Sequence, residues 1–175
     1  WVFAAGNSRS KGDNTNYHNF QNSRYVTTVA ATNSYGQTSK FSTPGASILV
    51  SAFGEDVFTT CLNCAGPNDP NGYGNFSGTS AAAPVVSGVI ALMLEANKTL
   101  GYRDVQNILA YSARQEISEG FKFNGANNWN GGGLHISHDQ GFGLVDAHAA
   151  VRLAESWDRP AQVAANEQMV VRRLN

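Results

Sequence analysis

Charge is what this 175-residue chain has least of. Asp, Glu, Lys and Arg make up 14% of it, against about 25% in an average domain. Twelve basic and thirteen acidic residues almost cancel, to a net charge of −1. That balance leaves no basic footprint for nucleic acid and no attraction to an anionic membrane surface. No apolar run approaches the roughly 20 residues of a membrane span. No signal-peptide pattern opens the chain either. The start, "WVFAAGN", reads as a buried strand, so the expectation is a fragment of a longer protein whose leader lies elsewhere. Polarity comes instead from Asn, Ser, Thr and Gly, a balance that fits a secreted or extracellular protein.

Cysteine is nearly absent too. The two that occur form "CLNC", Cys61 to Cys64, inside a Gly/Asn/Pro-rich stretch. Two thiols cannot complete a structural zinc site, and no helix follows to build a thioredoxin-like redox motif. A small loop disulfide and two free thiols both remain open.

What is present is a pattern of apolar segments. Trp1–Ala5, Tyr25–Thr32, Ser47–Ala52 and Gly143–Val145 read as strands or buried stretches. The first three lack polar/apolar alternation and are rich in Val, Ile and Ala, as parallel strands covered on both faces are. From Thr79 to Ala96 the pattern becomes helical and apolar almost all round, which predicts a buried helix. Pro84 is read as part of its first turn, where a missing N–H costs nothing. A second helix is predicted from Tyr102 to Ser112, with Val105, Ile108 and Leu109 inward. A third is predicted from Asp146 to Ser156, with Asp146 as its cap. Phe123–Gly143 is too rich in Gly and Asn for regular structure. Residues 158–175 read as a linker leaving a domain that spans 1–157. The fold class is α/β: a mostly parallel sheet with a central buried helix.

The helix at Thr79 begins with the string "GNFSGTSAAAP", Gly74 to Pro84. Ser80 falls in the first turn, where the helix dipole favours developing negative charge and the backbone N–H groups lack partners. Ala81, Ala82 and Ala83 leave room for a substrate backbone, and Gly78 permits a sharp entry. A serine there is either a helix cap or a nucleophile. A second feature favours the nucleophile. "AAGN", Ala4 to Asn7, ends the first strand and puts an amide at a strand's carboxyl end, where α/β sheets build their sites. An Asn side chain donates the N–H bonds that a tetrahedral oxyanion needs.

"GTSAAAP" resembles the serine motif of subtilases, the subtilisin-like serine proteases, and "FAAGN" resembles their oxyanion-asparagine segment. "SGTSAAAPVVSGVIALMLEAN", "YRDVQNIL" and "GFGLVDAHAAVRLAESW" are most similar to the kexin-like branch. The resemblance covers Trp1 to about Trp157 and implies part of a subtilisin-like catalytic domain that hydrolyses peptide bonds. It implies Ser80 as the acyl-forming nucleophile, with the Asn7 side chain and the Ser80 N–H as oxyanion donors. Ala4, Ala5 and Gly6 would wall the pocket for the residue before the scissile bond.

The family also needs a base and an orienting acid, in the chain order Asp, His, Ser. Both precede the oxyanion asparagine, and no His or Asp precedes Asn7 here. His18, His135, His138 and His148 all follow it, outside the family's histidine motif, so this chain alone is expected to be inactive. The missing N-terminal half is then a required partner, beside a protein or peptide substrate.

Two departures from the kexin-like pattern bear on specificity. Asp13 stands where the family ties a carboxylate to calcium; the alternative reading is a solvated turn residue. Its acidic neighbour, which reads a basic substrate residue, falls at His18. A second calcium carboxylate falls near Thr43. "GPNDPNGYGN", around Asp69, reads as a turn-rich loop with calcium as the lesser alternative. Structural calcium is the sole cofactor candidate, and apolar or mixed residues before the scissile bond are expected. A catalytically silent subtilase-like binding module is the alternative function. An α/β-hydrolase esterase is excluded, because its nucleophile elbow needs glycine where Ala82 stands.

Overall fold

The computed structural model describes residues 1–61, 72–115, 121–123 and 134–158. Three parallel strands, β1 (Val2–Ala4), β2 (Thr27–Thr32) and β3 (Ile48–Phe53), lie side by side in that order. β2 is buried at all six positions, which explains why its sequence does not alternate. Leu144 adds a single parallel bridge to Ser51 and an antiparallel one to Arg114. The stretch expected as a fourth strand is therefore one bridge long, because Leu144 is shared between two neighbours.

One face of the sheet carries the core. Val29, Ala31, Val50 and Ala52 point the same way and meet Ala82, Val86, Val89 and Met93 of α1 (Thr79–Ala96). Val105, Ile108 and Leu109 of α2 (Tyr102–Ser112) join this cluster, as do Ala150 and Ala154 of α3 (Ala147–Glu155). Met93, Ile108 and Leu109 are wholly buried, and each such side chain contributes roughly 1.5–3 kcal/mol. The small residues of β2 and the first turns of α1 let helix and sheet approach closely. Among the described residues, the opposite face holds a small cluster, Ala5, Ala30 and Ile48.

Helix α1 departs from expectation twice. Its apolar circumference is not buried throughout: Val85 is 42% exposed and Leu92 56%. The sheet covers one side of a helix, and the described residues leave this outer face open. Its length and composition would suit a membrane crossing, yet its inner face packs on all three parallel strands. Pro84 is also not in the first turn. The helix begins at Thr79, so Pro84 is past that turn and lacks the N–H that would reach the Ser80 carbonyl. Such a proline costs about 3 kcal/mol, which the packing of Val86, Val89 and Met93 offsets.

Two antiparallel pairs were not anticipated. β4 (Val57–Thr60) pairs with β5 (Tyr73–Phe76), and Phe58 stacks on Tyr73 at 5.6 Å. The β-branched and aromatic run "VFTT" is the signal for this hairpin. β6 (Lys122–Phe123) pairs with β7 (His135–Ile136), so the Gly/Asn-rich stretch does contain regular structure. Cys61, at the end of β4, is disulfide-bonded, and Cys64 is the only other cysteine in the sequence. That selects the loop disulfide over free thiols. Cys64 and Asp69 lie outside the described residues, as does the expected linker from residue 159 onward.

α3 is capped as expected, the Asp146 carboxylate accepting the Ala149 N–H at 2.9 Å. Its far end is tied to α2. Asp104, 1% exposed, accepts the Gly101 N–H at 2.9 Å and the Trp157 indole N–H at 3.0 Å. Asn97 donates to the Ala154 and Trp157 carbonyls. Replacing Asp104 with alanine strands two donors, and we expect a loss of about 1.5–3 kcal/mol. Urea unfolding of wild type and variant at equal slope measures it; an unchanged midpoint would contradict this account of the joint.

Candidate active site

The carboxyl end of β1 lies beside the amino end of α1, the two joined by hydrogen bonds. After Ala4 the chain turns through Gly6, whose φ of +107° suits glycine. The Gly6 N–H donates to Thr79 Oγ1 at 3.1 Å. One residue on, Asn7 Oδ1 accepts two bonds from the same threonine, from its N–H and from its hydroxyl, each at 2.9 Å. A backbone N–H can only donate, so Asn7 must turn its oxygen toward Thr79. Its amide nitrogen is thereby directed away from Thr79, along Gly78. A Cβ on Gly78 would stand 3.3 Å from Asn7 Nδ2, closer than most real contacts of that kind. Glycine at 78 thus gives the amide room.

Ser80 follows Thr79 in the first turn of α1 and is exposed, as is Asn7. The orphan N–H groups and dipole of the helix end lie on the side where the Asn7 amide sits. Two candidates chosen from distant parts of the sequence are therefore joined through Thr79. Sequence reasoning did not single out Thr79; its place between glycine and serine was read as part of a motif. Only the 72-residue separation of its bonds to Asn7 reveals its task.

The intended pocket wall divides. Ala4 accepts a bond from the Gln21 side chain at 3.3 Å through its carbonyl. Ala5 is 1% exposed, its methyl group packed with Ala30 and Ile48, so its side chain belongs to the core. Gly6 stays partly exposed.

Asp13 and His18 meet each other. His18 Nε2 lies 2.9 and 3.0 Å from the two Asp13 carboxylate oxygens, and Asp13 Oδ1 also accepts the Asn14 N–H. No group of three or more His, Cys, Asp or Glu side chains converges among the described residues. Calcium takes six to eight oxygens, several of them from carboxylates. An imidazole nitrogen across both Asp13 oxygens is a donor set that does not fit it. The other histidines lie elsewhere. His135 is on β7, edge-on to Phe121 at 5.2 Å. His138 is exposed in the following turn, and His148 is exposed on α3.

The subtilase family pattern matches residues 1–143. The chain is 34% identical to yeast (Saccharomyces cerevisiae) kexin over 166 residues, 90% of this chain and 19% of kexin. Human furin is 32% identical over 167 residues, again 90% of this chain and 19% of furin. The chain thus spans about a fifth of the length of these curated relatives. Among solved structures, the serine protease of Aeromonas sobria superposes with a TM-score of 0.77 at 24% identity, over 93% of this chain and 37% of that one. Fervidolysin of Fervidobacterium pennivorans, described as a keratinolytic enzyme related to subtilisin, gives 0.63 at 30% identity, over 86% and 22%. These likenesses bear out a subtilisin-like α/β fold, present here in part.

Proposed function

The chain belongs to the subtilase family, and from that premise we propose that it carries the nucleophile half of a serine endopeptidase. The observation that carries this reading is the orientation of Asn7, whose oxygen is occupied by Thr79 and whose amide nitrogen is left beside Gly78, two residues before Ser80. Ser80 Oγ gives its proton to the base and attacks the scissile carbonyl. The tetrahedral adduct collapses with cleavage of the C–N bond, the base returns the proton to the departing amine, and the acyl-enzyme remains. The oxygen that becomes negative is held by the Asn7 amide and the Ser80 N–H. Water then releases the acyl group from Ser80. The base and its orienting acid come from chain outside these 175 residues. The uncovered outer face of α1, with Val85 and Leu92, is where such a complement would pack.

The test is treatment of the full-length protein with a serine-directed phosphonate and mapping of the adduct. Modification of Ser80 is expected; a folded protein with no adduct there sinks the assignment.

For specificity, Ala4 and Gly6 flank the residue before the scissile bond. Beyond them His18 occupies the place where the kexin-like pattern has an acid. An imidazole paired to Asp13 offers no free carboxylate to draw in a cationic side chain. Apolar and mixed residues are expected to dominate a peptide-library cleavage profile of the full-length enzyme. A profile dominated by Arg or Lys would overturn this. Secretion into an oxidising compartment is part of the same proposal, supported by the Cys61 disulfide.

The second reading, a catalytically silent binding module, draws on the positions of the four histidines, none of them in the family's motif. Asp and His motifs in the chain upstream of Trp1 would eliminate it.

A further inference from the structure

Thr43 enters none of the roles above, yet its bonds reach the residues on both sides of Asn7. Its hydroxyl accepts the Ser8 N–H at 2.9 Å. Its own N–H donates to the Gly6 carbonyl at 2.9 Å. The side chain is fully buried and lies so close to Gly6 that a Cβ there would be 3.1 Å from Thr43 Oγ1. We infer that Thr43 is a positioning residue for the oxyanion amide, fixing the backbone of Asn7 while Thr79 fixes its side chain. The inference rests on the reading of Asn7 as oxyanion donor.

The physical need is plain. Asn7 is an exposed residue on a loop that leaves a strand, and an oxyanion donor works only when its position is set before the charge develops. Thr79 sets the direction of the amide but makes no bond to the peptide on its C-terminal side. Thr43 supplies that tie, and with it both neighbours of Asn7 are held from one side chain and one N–H. Further along, the Arg9 guanidinium bonds the Ser42 carbonyl at 2.7 Å and pairs with Asp139. The segment 41–43 therefore runs beside 6–9 as a splint. The kexin-like pattern expects a calcium carboxylate near Thr43. Here a neutral hydroxyl bonds the backbone directly, and Asp13 is engaged by His18.

The experiment compares wild type, Thr43→Val and Thr43→Ser in the full-length enzyme. Valine keeps the shape and removes the acceptor; serine restores it. Misplacing a catalytic group by about an ångström costs up to roughly a hundredfold. Thr43→Val should therefore lower kcat roughly ten- to a hundredfold with KM nearly unchanged, since the substrate ground state does not use this donor. Thr43→Ser should recover most of it. Unchanged kcat in the valine variant, or a loss that serine does not rescue, overturns the inference. Thr43→Ala, which adds no methyl group near Gly6, replaces valine if that variant does not fold.

A second readout does not depend on turnover. With selectively 15N-labelled asparagine, the Asn7 side-chain amide resonances should be dispersed in wild type and Thr43→Ser. In the valine or alanine variant they should collapse toward those of a mobile asparagine. Unchanged resonances would overturn the inference even if the enzyme proves inactive. Absent turnover in wild type would instead count against the reading of Ser80.

Discussion

Ser80→Ala in the full-length enzyme is expected to lower kcat by roughly 10⁶-fold, a magnitude carried over from subtilisin itself. On the proposed mechanism the attacking oxygen would be gone, so the acyl-enzyme route would close and only assisted attack by water would remain. Residual catalysis of roughly 10³–10⁴ over the uncatalysed reaction should survive, again by analogy with subtilisin, because the oxyanion donors and substrate contacts are untouched. The fold should not change. Ser80 is exposed in the first turn of α1, and the bonds that anchor this turn belong to Thr79. Steady-state kinetics with a peptide substrate, together with an unchanged melting temperature, make the test. A variant retaining more than about a hundredth of wild-type kcat would require another nucleophile.

The next largest effect is expected at Asn7, and the choice of substitution matters there. Asn7→Ala removes the amide donor, but also the acceptor that Thr79 uses twice. Asn7→Asp keeps an oxygen facing Thr79 and exchanges only the outward nitrogen for a second acceptor. Loss of one such donor in subtilisin, from which the figure is taken, costs roughly 10²–10³ in kcat. Asn7→Asp should lose at least that much, since a carboxylate repels the developing oxyanion. Its stability should stay near wild type, because the Thr79 bonds remain. KM should move little in either variant, as the donor acts on charge that appears only in the transition state. An aspartate variant with near-normal kcat would remove Asn7 from the oxyanion site. A selective loss of stability in the alanine variant would separate the structural task of Oδ1 from the catalytic task of Nδ2.

Much of the frame was legible in the chain. Helix α1 was predicted from Thr79 to Ala96 and found there, because helical period and a glycine entry are local features. Val105, Ile108 and Leu109 were correctly placed inward on α2 for the same reason. The hairpin of β4 and β5 was missed because its partner strands are separated by a stretch whose Gly, Asn and Pro content masks the pairing. Burial around α1 was overstated. Apolarity on all sides shows what a helix can bury, while exposure depends on which neighbours lie there. Pro84 is the sixth residue of a helix whose start at Thr79 is the expected one, so its place beyond the first turn follows from counting along the chain and not from tertiary structure.

By itself, then, the sequence determined the class of the fold, the serine at a helix start and the asparagine at a strand end. These follow from spacing and side-chain chemistry, which act over a few residues. Tertiary structure alone decided that Thr79 holds the Asn7 side-chain oxygen, that Thr43 bonds the backbone on both sides of Asn7, and that His18 lies across the Asp13 carboxylate. Each depends on bonds between loops that leave different strands. Such directional contacts follow from how parallel strands and their connections pack, and no local pattern encodes them.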